Sequence, residues 1–216
     1  MRTSTNLFLG FCFGFLALCT LPITAQPIGH TTLNVKGRVQ LEVPTDWTIG
    51  DAEHRQRVKE LSEQLTGVPT DHVASLSVQS YPAPSRVFVR VSFIPLDPPI
   101  SQDDVRNEVR ADAQLVLSDM AASWNQEAPV MWEGLAKYGV TQVGRPRFAI
   151  EPLGGQLAMV IRYGRTSTAN RAETMSVAQY HVLLGSEKAL ITLSHIEGDA
   201  QATAAMERLK RSISIR

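Results

Sequence analysis

Across residues 33–43 apolar and polar side chains alternate: Leu33, Val35, Val39, Leu41 and Val43 take the odd positions, interrupted only at Gly37, and Asn34, Lys36, Arg38, Gln40 and Glu42 take the even ones. A period of two belongs to a strand with one buried face. Lys36-Gly37 reads either as a hairpin turn or as a bulge within one long strand. A two-residue turn would set Leu33 against Gln40, apolar against polar, so the pattern favours a bulge or a wider turn. Pro44 and Trp47 close the element.

The period then changes. Residues 51–66 are predicted as a charged helix on the surface of a sheet, with His54, Val58, Leu61 and Leu65 on a narrow stripe and Gly67 and Pro69 ending it. Residues 74–80 and 86–94 alternate as an antiparallel hairpin joined by Tyr81-Pro82-Ala83-Pro84-Ser85. Asp97-Pro98-Pro99 breaks its second strand. Ser101 then caps the longest helix, with Asp104 as its capping-box partner. Val105, Val109, Ala113, Val116, Met120 and Trp124 line one face of about six turns, opposite Asp103, Arg106, Glu108, Arg110 and Asp112. Residues 125–144 look irregular, anchored only by Trp132 and Tyr138, and are expected to form a flap or a functional surface loop. Strands follow at 147–151, 157–165, 176–184 and 189–195, the last two joined by a turn at Gly185-Ser186-Glu187-Lys188. Asp199 caps a final helix with Ala202, Met206 and Leu209 inward.

Several local sequences carry a resemblance: Val43-Pro44-Thr45-Asp46-Trp47, Leu153-Gly154-Gly155-Gln156-Leu157-Ala158, the hairpin over 180–193, and Arg208-Leu209-Lys210-Arg211-Ser212-Ile213. Together with the order of elements they resemble the PsbP-like fold, which includes photosystem lumenal proteins, a nuclear transport factor and DcrB-type bacterial envelope proteins. The resemblance implies an α+β fold, a mostly antiparallel sheet flanked by helices on both faces in an α/β/α sandwich, as a single domain over 26–216. It also implies a binding, assembly or chaperone-like accessory role rather than an enzyme, and it assigns no functional residue.

The first residues change the setting. Arg2 precedes an apolar run over 7–21, and Ile23-Thr24-Ala25 offers a signal-peptidase site, so residues 1–25 are expected to be a cleaved leader and the chain periplasmic or secreted. Gly10, Gly14 and Pro22 interrupt the run and no basic stop-transfer cluster follows, which disfavours a membrane span. Leu16-Ala17-Leu18-Cys19 resembles a lipobox, but Leu18 stands where a small residue is required. Cleavage at Ala25 removes Cys12 and Cys19, the only cysteines, and with them disulfides, thiolate metal sites and cysteine catalysis.

Without the leader, 20 basic residues face 21 acidic ones, too even a balance to gather nucleic acid or anionic lipid. The hydrophobic content of 44% and charged content of 19% suit one globular domain. Histidines at 30, 54, 72, 181 and 195 form no helical metal-ligand pair. His181 and His195, in one predicted hairpin, fall on opposite faces of its sheet. No Gly-x-Ser-x-Gly elbow, phosphate loop or dinucleotide fingerprint is present, and no cofactor is expected. Asp103, Asp104 and Glu151 are the candidate carboxylates, the first two better placed to favour a helix N-terminus. Gly154-Gly155-Gln156 reads as a turn.

Two features point to binding. Arg145, Arg147, Arg162, Arg165 and Arg171 concentrate in one part of the strand meander and suit an acidic partner or a carboxylate ligand, or else protect a sheet edge. Trp132 and Tyr138 are an interface anchor or a plug for the core. The expected function is an exported, non-catalytic accessory protein of the cell envelope that contacts another protein through Trp132, Tyr138, Arg145, Arg147, Arg162 and Arg165. The alternatives are an immunity-type inhibitor of a secreted toxin and an unrecognised small hydrolase.

Overall fold

The structure is a computed structural model and describes residues 29–66, 73–81, 85–167 and 169–216. The leader, both cysteines, the Gly67 and Pro69 stop and the centre of the 81–85 turn lie outside the described residues. Strands β1 (His30–Val35) and β2 (Val39–Pro44) form a hairpin in which Val35 lies opposite Val39 and Leu33 opposite Leu41. This is the wider turn. Lys36 and Gly37 take φ of 52° and 68°, and the Arg38 N–H donates to the Val35 carbonyl at 3.1 Å.

A two-residue β3 (Thr48–Ile49) follows, then α1 (Ala52–Thr66), β4 (Leu76–Gln79) and β5 (Val87–Ile100). Next come α2 (Gln102–Ala136), β6 (Gln142–Leu153), β7 (Gln156–Thr166), β8 (Thr174–Leu183), β9 (Gly185–Ile196), α3 (Ala200–Ser212) and β10 (Ser214–Ile215). They build a seven-stranded antiparallel sheet, β3-β4-β5-β9-β8-β7-β6, and a three-stranded one, β1-β2-β10.

Register assigns the faces of the large sheet. Val89, Val91, Val160, Tyr180, Val182, Ile191 and Leu193 share one face and bury against Val39, Leu41 and Val43 of the small sheet and Ala202, Met206 and Leu209 of α3. This is the main core, in which each large apolar side chain removed from water contributes about 1.5–3 kcal/mol. The other face carries α2 over a smaller cluster of Met175, Val177 and Ile196, packed by Phe88 and Tyr163. The α+β fold with helices on both faces of a mostly antiparallel sheet is thus the one the sequence implies. The three-stranded sheet sharing the α3 face is the addition.

Four local expectations are corrected. Residues 125–144 are not an irregular flap, because α2 runs on to Ala136 and carries Pro129 inside it. Asn125, Pro129 and Gly134 resemble breakers by composition, yet Ala128 and Gly134 are buried and bring the helix close to its neighbours. The break in α2 comes earlier, at Asp112 (φ −159°, ψ 88°), whose Oδ1 accepts the Leu115 N–H at 2.9 Å. Asp112 is therefore an N-cap between two helical segments. The phase of the apolar face is lost there, and Ala113 is exposed while Val105 and Val116 are buried.

In α1, Leu61 is 52% exposed rather than part of a stripe, and the helix packs beside α2. Finally, β5 does not stop at Asp97-Pro98-Pro99. Its register shifts after Pro95, and Ile100 pairs again with Gly185.

Candidate functional site

The six residues expected to make one contact surface divide between two faces and an edge. β6 pairs with β7 alone and is the outer strand of the large sheet, and Arg147 sits on it directly opposite Arg162. Like charges placed so oppose each other. Arg162 is compensated: its Nη2 lies 2.7 Å from Glu151 Oε1, which also takes Lys210 Nζ at 2.9 Å. Both cations lie over the Tyr180 ring, at 5.8 and 5.4 Å from its centroid. Burial opposes ionisation of Glu151, but the hydrogen bonds and charges of Arg162 and Lys210 outweigh it and hold the carboxyl below the usual range. Glu151 is thereby the centre of an ion cluster.

Arg165 is three residues beyond Arg162 and points to the opposite face, where its Nη1 donates to the Thr166 carbonyl at 3.2 Å and Nη2 lies 3.1 Å from Met175 Sδ. Burial lowers its pKa. Trp132 belongs to that face too, edge-on to Tyr163 at 5.6 Å between centroids, with Trp124 at 5.0 Å. Burial pushes the Tyr163 hydroxyl up to about 12 against the pull of Arg165. Trp132 thus plugs the space between α2 and the sheet.

Tyr138, just past the end of α2, and Arg145 and Arg147, further along on β6, are all solvent-exposed, Arg147 on the same face as its partner Arg162. Tyr138 is 48% exposed and Val143 is 39% exposed. Neither Arg145 nor Arg147 has an ion-pair partner among the described residues. The register of β6 slips between Val143 and Arg147, across Gly144 (φ 72°) and Pro146.

His181 lies opposite Leu190 and His195 opposite Ser176, which puts the two rings on opposite faces as expected. The turn centres on Gly185-Ser186, one residue earlier than read from sequence; every partner moves by two, and facing is preserved. Burial, with a smaller contribution from Lys188, lowers His181 to about 4. His195 is lowered by burial against the pull of Glu207, Glu197 and Asp199. Asp104 accepts the Ser101 N–H at 2.8 Å in the capping box, and Asp103 pairs with Arg106. Arg90, which the sequence did not single out, joins Trp132 and His181 in having a buried nitrogen with no hydrogen-bond partner among the described residues.

A cleft of about 620 Å³ opens at the far end of the molecule, between the end of β1, the first turn of α1 and residues 73–76. Leu33, Val35, Val73 and Leu76 give it an apolar wall, and Lys36 and Arg55 bring positive charge. Residues from three separate parts of the chain make it, and no local pattern announces such a meeting.

No family model and no curated protein matches the chain. Among solved structures, it is similar to a cyanobacterial PsbP (CyanoP) from Synechocystis, at 11% identity and a TM-score of 0.45, over 96% of this chain and 99% of that one. It is similar also to LpqN of Mycobacterium tuberculosis, described as involved in cell envelope biogenesis, at 15% identity and TM-score 0.40, over 88% and 92% of the two chains. A third is a Bacteroides thetaiotaomicron protein, at 8% identity and TM-score 0.43. There the match covers 86% of this chain and spans about half, 48%, of the other. Likeness of this degree concerns the chain trace and transfers no function.

Proposed function

We propose that this chain is an exported, non-catalytic accessory protein of the bacterial cell envelope that works by binding another protein at the α2–β6 corner. One observation carries the reading: along the connection from α2 into β6, Tyr138 and Val143 are exposed, and Arg145 and Arg147 are exposed cations without ion-pair partners among the described residues. Exposed tyrosine and arginine are among the residue types from which binding hot spots are made. The contact favours an acidic partner. Export rests on the apolar leader over 7–21 ahead of Ile23-Thr24-Ala25.

The test is crosslinked capture from a cell-envelope extract with the mature domain tagged at its N-terminus, comparing wild type with Tyr138→Ala/Arg147→Ala. Wild type should retain one stoichiometric partner. The double variant should lose at least about thirtyfold in affinity, some 2 kcal/mol, at an unchanged melting temperature. Equal retention by both proteins would remove the corner from consideration. Trp132 is unsuited to this test, because its replacement would disturb the packing on Tyr163.

A further inference from the structure

We infer that the cleft beside β1 is a second binding site, independent of the α2–β6 corner, which takes an extended, carboxylate-bearing segment of a partner polypeptide as an added strand. Thr32 lies opposite Glu42, and the Glu42 N–H donates to Ser212 Oγ at 2.9 Å instead of to β1. One register step beyond the hairpin, the Thr45 N–H donates to the Gly29 carbonyl at 2.9 Å. Hydrogen-bonded and non-bonded pairs alternate in an antiparallel ladder, so the odd residues of β1 bond to β2. The N–H and C=O of Thr32 and Asn34 consequently point away from β2, at the two-residue spacing that an incoming strand reads.

β1 is the outer strand of its sheet, and among the described residues no further strand pairs with its free edge. β6 carries the usual protections of an edge: a register slip, Pro146, Arg145 and Arg147. β1 runs His-Thr-Thr-Leu-Asn-Val with neither proline nor bulge, and its first three residues are exposed. Leu33, Asn34 and Val35 of this edge form one wall of the cleft, and Val73 and Leu76 stand on the other side. An added strand would alternate, with aliphatic side chains toward Leu33, Val35 and Leu76 and backbone on Thr32 and Asn34.

Charge decides the rest. Lys36 and Arg55 line the cleft, and no acidic side chain does among the described residues. Arg55 Nη1 is held by the Gly50 carbonyl at 2.7 Å, and Lys36 Nζ lies 5.2 Å from the Phe93 centroid, so both cations are positioned without a carboxylate. The volume of about 620 Å³ falls in the ordinary range for ligand sites.

The test selects random octapeptides displayed on phage against the immobilised mature domain, then measures the enriched peptides by fluorescence anisotropy. Thr32→Pro removes an outward N–H while leaving the β1–β2 bonds intact. Lys36→Asn/Arg55→Glu reverses the charge of the cleft and keeps at position 36 a residue that tolerates positive φ. Enriched peptides should alternate aliphatic residues around an Asp or Glu. They should bind each variant at least tenfold more weakly at an unchanged melting temperature, and bind Tyr138→Ala/Arg147→Ala as tightly as wild type. No enrichment, or peptides that bind both cleft variants like wild type, would overturn the inference and leave the corner reading untouched. If Thr32→Pro fails to fold, the charge variant alone decides between these outcomes.

Discussion

His181 shows how much one side chain contributes when it is buried uncharged. Its pKa falls from 6.5 to about 4, chiefly through burial. In the unfolded chain the ring takes up a proton near pH 6.5, so between these values the unfolded state binds more protons than the folded one. Stability from this residue is complete above pH 6.5 and declines as pH falls toward 4. At pH 5 the decline is about 2 kcal/mol. Urea unfolding at pH 7 and pH 5 should show that loss in wild type, and His181→Leu should remove most of it, leaving a smaller slope from His195. At this scale the sequence was informative about facing and silent about environment. Alternation on a hairpin separates His181 from His195, whereas the burial of Arg90 and the pairing of Glu151 with Lys210 depend on strands and helices distant in sequence.

At the scale of elements, Asp112 marks what periodicity hides. A break in a helix that keeps good helix formers on both sides, Arg110-Ala111 and Ala113-Gln114, leaves composition unchanged and shifts only the phase of the buried face. The signal was the aspartate itself, three residues before Leu115, whose N–H it accepts. Asp112→Ala should cost about 1 kcal/mol, and Asp112→Asn much less, by chemical denaturation. Conversely, Asn125 and Pro129 looked like loop chemistry and lie within a helix, because packing on the sheet outweighs local preference. Strands β7, β8 and β9 were legible because each runs for at least ten residues and alternates over part of that length. The two-residue β3 and β10 are too short to have a period, and only their pairing defines them.

For the whole molecule, the joint between the two sheets is set by the β6–β7 turn. Gly154 and Gly155 both have positive φ, 59° and 88°, as a tight hairpin turn requires. Their surroundings differ. A Cβ on Gly154 would lie 2.9 Å from the Ile215 N and 3.1 Å from the Ile213 carbonyl, while one on Gly155 would meet nothing within 4 Å. The Gly154 carbonyl also accepts the Ile215 N–H at 2.9 Å, tying β10 to the large sheet. Gly155→Ala should therefore cost about 1 kcal/mol of backbone strain and Gly154→Ala about 3, both read from melting and denaturant midpoints. Equal costs would mean that the joint can give way.

That joint bears on the order in which the chain is made. β2 takes β1 from its immediate neighbourhood but reaches Ser212 across 170 positions, and β10 closes its other side. Contacts of such long separation form late. The first hairpin among the described residues is thus among the last to be covered, and until α3 and β10 arrive the cover over Val39, Leu41 and Val43 is incomplete, leaving an apolar strand that a holding chaperone would find.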